Sequence, residues 1–292
     1  MLKTRLIVGT GLIAALAALA ACDASFPYLW LGATRIGPGA VLLGVSLLFI
    51  AAVLAREFSR LTSCSRQSAV WLTYFAIAGG IASIALAPTL LPRHLVAQAI
   101  VSIPCLLVIF GSIDHARSKQ VTGLTSALGA LLLAYAAIGV PLGFWILLRH
   151  DRDAWTLAGA VLAVKSADIG AYFTGLAIGK HKLAPWLSPA KTWEGFAGGV
   201  ILSGIVGSLL AIASQSNAAA DACIEPLSLS AGVFIAIALG VAGTCGDLFE
   251  SALKRGAGVK DSGTILPGMG GLYDLFDSIL PAGPLAWWLI AS

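Results

Sequence analysis

The chain has 292 residues, of which 58% are hydrophobic and only 11% charged, with a formal net charge of +4. A soluble protein carries charge on about a quarter of its residues; this composition, with a mean hydropathy of +0.92, makes the bilayer the solvent for most of the surface. No basic run of the kind that follows a nucleic-acid backbone is present, so no nucleic-acid partner is expected. The five cysteines (Cys22, Cys64, Cys105, Cys223, Cys245) form no C-x-x-C pair that would suggest a zinc site.

In chain order, apolar runs predict membrane spans near 5–22, 36–55, 69–91, 95–113, 123–148, 154–178, 195–214, 227–246 and 266–290. The runs are long and lack strict alternation, which favours helices over a barrel. The expected fold is all-α, a polytopic transmembrane helical bundle of about nine spans, each needing roughly 20 residues. With the N-terminus in the cytoplasm, thirteen Lys and Arg fall on inside segments and four on outside ones. That bias follows the positive-inside rule. The first run has a second reading: Lys3 and Arg5, an apolar stretch and Leu19-Ala20-Ala21-Cys22 resemble a cleaved signal ending at a lipid-modified cysteine. The polar stretch 215–226 lacks Lys and Arg and suits an outside loop. No segment is long and polar enough for a separate soluble domain. Residues 1–292 are therefore expected to form one membrane domain, with N-terminal spans in 1–150 and a catalytic half in 151–292 carrying inside loops 179–195 and 247–272.

Ionisable residues at membrane depth are costly, about 2.5–3.5 kcal/mol each on insertion scales, and mark polar cavities. They gather in three places. Lys165 and Asp168 lie three apart inside one span, on one helix face, with Tyr172 four residues further on. This spacing serves either a cavity lining or an ion pair that joins helices. The second place is the loop Gly179-Lys180-His181-Lys182 with Ser188-Pro189-Ala190-Lys191-Thr192-Trp193-Glu194-Gly195. Its hydroxyls and lysines suit phosphate oxygens, and equally a basic loop touching anionic headgroups. The third is the densest: Asp247, Glu250, Lys254 and Arg255, then Lys260 and Asp261, then Gly270, Gly271, Asp274 and Asp277. Asp274 and Asp277 share a helix face just inside the last predicted span. A divalent metal would offset their charge, since Mg²⁺ takes one or two carboxylates plus substrate phosphates. Lys254, Arg255 and Lys260 would neutralise phosphates, and the glycines would let backbone N–H groups approach oxygens. Residue chemistry alone thus leads to a cytoplasm-facing, metal-assisted phosphate site and stops short of a reaction.

The third cluster resembles the signature of phosphatidate cytidylyltransferases (CDP-diacylglycerol synthases). Ser251, Leu253, Lys254, Arg255, Lys260, Asp261, Gly263, Leu266, Pro267, Gly270, Gly271, Asp274 and Asp277 stand at matching spacing. Gly246-Asp247-Leu248 before them, and Ser188-Pro189 through Lys191-Thr192-Trp193-Glu194-Gly195 upstream, are also similar to the family. The resemblance covers roughly residues 160–285; the N-terminal half is similar in hydropathy only. Two positions depart from the pattern: Met269 stands where the family has His, and Leu275 where it has Arg. Neither replacement donates to, or neutralises, a phosphate.

The resemblance implies transfer of CMP from CTP to phosphatidic acid, giving CDP-diacylglycerol and pyrophosphate. It implies Asp247 and Asp274 as ligands of a divalent ion, joined by Asp277. Lys254, Arg255 and Lys260 would bind phosphates, with Asp261 orienting the lysines. Ser188, Lys191, Thr192, Trp193 and Glu194 would hold nucleotide or headgroup, Gly270 and Gly271 would approach phosphate oxygens, and Lys165 and Asp168 would line the cavity. Mg²⁺ is the expected ion, with Mn²⁺ and a second, monovalent cation left open. The expected partners are CTP, phosphatidic acid and membrane lipids, with a homodimer left open, and the expected location is a bacterial inner membrane with the site facing the cytoplasm. The competing readings are a cation-coupled transporter using the same Asp and Lys residues, and a divergent or inactive relative acting on another lipid phosphate.

Overall fold

The computed structural model describes residues 18–19, 21–23, 25, 29–31, 34–36, 38–62, 67–86, 93–117, 119, 122–220, 227–266 and 270–291. The chain is an all-α polytopic membrane protein. Among the described residues, seven helices are long and apolar enough to cross a bilayer: Ala40–Leu61 (α1), Ser68–Leu86 (α2), Leu95–Arg117 (α3), Leu124–Asp151 (α4), Ala154–Ile178 (α5), Trp193–Gln215 (α6) and Leu229–Gly256 (α7). Most of the run near 5–22, residues 221–226, Pro267 and Met269 lie outside the described residues; the first part of the stretch expected as an outside loop, 215–220, instead continues the helix that starts at Trp193. The run near 266–290 differs from its expected form. It makes a short helix, Tyr273–Phe276 (α8), and a separate one, Ile279–Ile290 (α9), of 12 residues. Gly270 has φ +100, a conformation glycine adopts without steric cost, so the helix cannot begin until the chain has turned.

The chain divides into two compact units. The first comprises Met1–Ala154 and Leu253–Phe276, the second Trp155–Ala252 and Asp277–Ser292.

In the first unit, α1, α2 and α4 each contain one wide turn, at Ser46–Ile50, Ala82–Leu86 and Tyr135–Gly139. Small residues let backbones meet: a Cβ on Gly80 would lie 2.7 Å from the Gly139 backbone, the close approach that membrane helices use in place of hydrophobic attraction. The Tyr135 hydroxyl donates to the Ile100 carbonyl at 3.0 Å and lies 3.2 Å from Ser83 Oγ, so that buried hydroxyls have partners where water is absent. Strands Leu29–Leu31 (β1) and Thr34–Ile36 (β2) form an antiparallel hairpin before α1. The Arg149 side chain bonds buried Asp23 at 2.7 Å.

In the second unit, α5, α6 and α7 also pack through small residues. Gly170 meets Gly198 and Gly199, and Gly207 meets Gly232. Ser203, fully buried, donates to the Ala236 carbonyl at 2.5 Å and so joins α6 to α7. Between α5 and α6, Lys182–Ala184 (β3) pairs antiparallel with Ser188–Thr192 (β4). Thr192 then begins α6: its Oγ1 accepts the Gly195 N–H at 3.1 Å, an N-cap bond.

Candidate functional site

Polar residues collect in a separate cluster in each unit. In the second unit the centre is a carboxylate group. One oxygen each from Asp247, Glu250 and Asp277 lies within 4.8 Å of the others. Asp247 and Glu250 are three apart on α7 and so share a face; Asp277 sits just before α9. Glu250 is fully buried. Asp277 Oδ1 accepts the Ser278 N–H at 2.5 Å. Lys191, at the end of β4, brings its Nζ to 2.8 Å from Asp247 Oδ2. Three hard oxygen donors this near one another suit a divalent cation such as Mg²⁺ in chemical type. Softer ions are disfavoured by the lack of sulfur or imidazole in the group.

Next to Asp277 in sequence, Ser278 takes part in a second arrangement. Lys165 Nζ donates to Ser278 Oγ at 2.6 Å and to Asp168 Oδ2 at 3.2 Å. The Ser278 hydroxyl in turn donates to Asp168 Oδ2 at 2.9 Å. Of the two readings of Lys165 and Asp168, the ion pair is formed, and through Ser278 it joins α5 to the start of α9. Tyr172 instead points away, 65% exposed with its ring edge-on to Phe173.

The hairpin loop is organised by Glu194. Its carboxylate accepts the backbone N–H of Lys180 and of His181 at 3.2 Å, and His181 Nδ1 lies 2.6 Å from Oε1. Trp193 N–H donates to the His181 carbonyl at 2.9 Å. Glu194 thus closes the hairpin against the first turn of α6, where a negative charge also suits the helix dipole. Ser188 is half-buried, Thr192 buried and Trp193 exposed.

The first unit holds the rest of the signature. Lys254 Nζ lies 2.7 Å from Asp274 Oδ1. Asp274 Oδ2 accepts the Ser262 N–H at 2.9 Å, the Ser262 hydroxyl at 2.8 Å and the Gly271 N–H at 2.7 Å. Gly270 and Gly271 leave no room for a side chain: a Cβ on Gly270 would strike Asp274, and one on Gly271 would strike Ser262 and Glu57. Leu266 and Gly270 pair across the tip of the loop. Arg255, Lys260 and Asp261 are exposed.

Of the three aspartates expected to share a metal, Asp247 and Asp277 are grouped, with Glu250 as the third carboxylate, while Asp274 accepts bonds from Lys254, Ser262 and Gly271. Glu250 carried a readable signal in its i, i+3 spacing from Asp247. Ser278 and Glu57 carried none.

The model of the cytidylyltransferase family matches residues 13–292. Among curated proteins, the chain is similar to the phosphatidate cytidylyltransferase of Bacillus subtilis (strain 168), at 40% identity over 165 residues, 56% of this chain and 58% of that protein. It is similar to that of Mycobacterium leprae (strain TN) at 36% over 159 residues, 53% of this chain and 48% of the relative. It is also similar to that of Staphylococcus saprophyticus, at 42% over 155 residues, 53% and 55% of the two chains. The matched stretch thus spans about half the length of the curated relatives.

Proposed function

The chain belongs to the cytidylyltransferase family, and from that premise we propose that it transfers CMP from CTP to phosphatidic acid, releasing pyrophosphate, at the cytoplasmic face of a bacterial inner membrane. The observation that carries this reading is the carboxylate group of Asp247, Glu250 and Asp277 with Lys191 beside it, in a chain whose relatives are named phosphatidate cytidylyltransferases.

The acceptor needs little activation, because a phosphomonoester with second pKa of about 6 is largely dianionic near neutral pH. The obstacle is repulsion between two anions as the lipid phosphate oxygen approaches the α-phosphorus of CTP in line with the departing pyrophosphate. Asp247, Glu250 and Asp277 would hold Mg²⁺, which when bound supplies charge neutralisation and Lewis acidity at phosphate oxygens; Mn²⁺ has the same donor preferences. Lys191 stands beside Asp247 and is assigned to substrate phosphate, with Ser188, Thr192 and Trp193 of the same segment near it in sequence. Glu194 orders that segment. Lys165 and Asp168 are assigned to a polar lining within the bilayer. Lys254, Arg255 and Lys260 are assigned to phosphate binding, with Asp261 orienting the lysines. Asp274 is assigned to orienting Lys254 and the glycines at 270–271, because its oxygens already accept from protein donors. The thirteen-to-four distribution of Lys and Arg supports a cytoplasmic face, which is where CTP is available, and acyl chains can remain in the bilayer throughout.

The test is product formation by the purified full chain in lipid micelles with CTP, phosphatidic acid and Mg²⁺. A lipid-extractable, CMP-containing product that requires the metal and is lost in Asp247→Asn is expected. No product from folded protein over a range of phosphatidic acids would refute the assignment and point to another lipid phosphate.

A further inference from the structure

Glu57 lies near the end of α1, about two hundred positions before the residues that carry the signature. Between Arg56 and Arg60 it reads as an ordinary charge at a membrane boundary. In the structure it is 1% exposed. Its Oε1 accepts the Leu272 N–H at 2.9 Å and its Oε2 accepts the Tyr273 N–H at 2.8 Å. The Ser262 hydroxyl is 3.4 Å from Oε2 and 2.8 Å from Asp274 Oδ2; with one hydrogen to give, it serves Asp274 first. The two amides are those that open α8, whose first-turn N–H groups have no partner within the helix. A carboxylate 215 residues away in sequence supplies the cap. The fit is tight. A Cβ on Gly263 would meet Glu57 Oε1 at 2.5 Å, and one on Gly271 would meet it at 2.6 Å. The Phe58 ring stands edge-on to Tyr273 at 6.1 Å, so consecutive residues of α1 grip the backbone and the side chain of the same segment.

We propose that Glu57 is a positioning residue for the signature loop: it fixes the backbone at 271–273, and through it the Asp274 carboxylate that holds Lys254. This rests on the cytidylyltransferase reading for its catalytic consequence, but the positioning itself can be read without activity. Both oxygens of Glu57 are needed as acceptors. Glu57→Gln keeps the shape and turns one acceptor into a donor that faces an N–H. Glu57→Asp keeps the charge and withdraws it by one methylene.

The experiment is hydrogen–deuterium exchange of the full chain in micelles, comparing wild type, Glu57→Gln, Glu57→Asp and Phe58→Leu. Phe58→Leu loosens packing at the same place and leaves both acceptors intact. The expected result is that amides at 271–274 exchange about tenfold faster in Glu57→Gln, the size of one lost buried hydrogen bond, while α2 and α4 are unchanged. Glu57→Asp gives the same local pattern with a smaller change, and Phe58→Leu leaves the 271–274 amides within about twofold. In turnover assays, Glu57→Gln raises KM for CTP about tenfold and leaves KM for phosphatidic acid within about twofold. Unchanged exchange at 271–274 in both Glu57 variants would overturn the proposal. So would loosening spread equally over α2 and α4, or a Gln variant that fails to fold beside an Asp variant with wild-type exchange. If exchange responds as expected and no variant or wild type makes product, the positioning role stands and the cytidylyltransferase reading falls.

Discussion

Asp277→Asn separates a metal-binding carboxylate group from a merely structural one. Oxygens of Asp247, Glu250 and Asp277 lie within 4.8 Å of one another. Two unit charges at that distance repel by about 3.5 kcal/mol at an effective dielectric of about 20. Lys191 beside Asp247, and solvent at the half-exposed members, reduce this, leaving about 2 kcal/mol of strain for Asp277 to relieve on neutralisation. Asn still accepts the Ser278 N–H that Asp277 Oδ1 accepts now, so little else is lost. Without divalent metal, Asp277→Asn should therefore melt higher than wild type, by about 5 °C at 2–4 °C per kcal/mol. Mg²⁺ should act the other way. At about a hundred times its Kd it adds about 2.7 kcal/mol to the wild type, and it should add little to the variant. The assay is thermal unfolding in micelles with EDTA and across a Mg²⁺ titration. A variant that melts lower than wild type in EDTA and keeps the full Mg²⁺ response would refute the reasoning, since the carboxylate would then be a structural bond acceptor.

Lys191→Met removes the cation beside Asp247; Mg²⁺ should bind about tenfold more tightly, from the loss of about 1.4 kcal/mol of repulsion, while turnover of CTP falls. Calorimetric Mg²⁺ titration and initial rates check the two halves. Arg149→Met strands the buried Asp23 carboxylate and should cost about 3–5 kcal/mol. Adding Asp23→Asn should recover most of the loss in melting temperature. Gly80→Ala drives a Cβ to 2.7 Å from the Gly139 backbone and should destabilise by about 1–3 kcal/mol. Gly129→Ala, with nothing within 4 Å, should be neutral or stabilising by up to about 1 kcal/mol on the same thermal assay.

Hydropathy located the membrane helices well because length and apolarity are what a span requires. The run read as 154–178 is α5 at Ala154–Ile178, and that read as 123–148 is α4 at Leu124–Asp151. It failed at 266–290, where summed apolarity is blind to a positive φ at Gly270 and to the break between Phe276 and Ile279. Motif spacing located some of the polar contacts. Lys165 with Asp168, and Asp247 with Glu250, were legible because both pairs obey i, i+3 on one helix. Lys191 with Asp247 joins a hairpin to a helix 56 positions on in the sequence, and nothing local encodes such a pairing. Glu57 is the clearest omission: a glutamate between two arginines looks solvated, and only the tertiary fold buries it against backbone amides.

Asp274 and Asp277, three apart in one motif, make different contacts. On one continuous helix they would share a face, and sequence spacing alone makes them a ligand pair. The helix is not continuous. α8 ends at Phe276 and α9 begins at Ile279, so the spacing of one continuous helix does not apply to them. Asp274 turns back on its own loop and accepts from Ser262, Gly271 and Lys254. Asp277 joins Asp247 and Glu250. The divergence predicts different consequences for the same substitution. Asp274→Asn keeps one oxygen for the three donors that converge on Oδ2 but turns the Oδ1 position into an NH2 that faces the Lys254 ammonium, at a cost of about 1–3 kcal/mol; its melting temperature should fall with or without Mg²⁺. Asp277→Asn should raise the metal-free melting temperature instead. If the two variants shift unfolding in the same direction and respond alike to Mg²⁺, the two aspartates act as one ligand pair and the division of labour drawn from the broken helix is wrong.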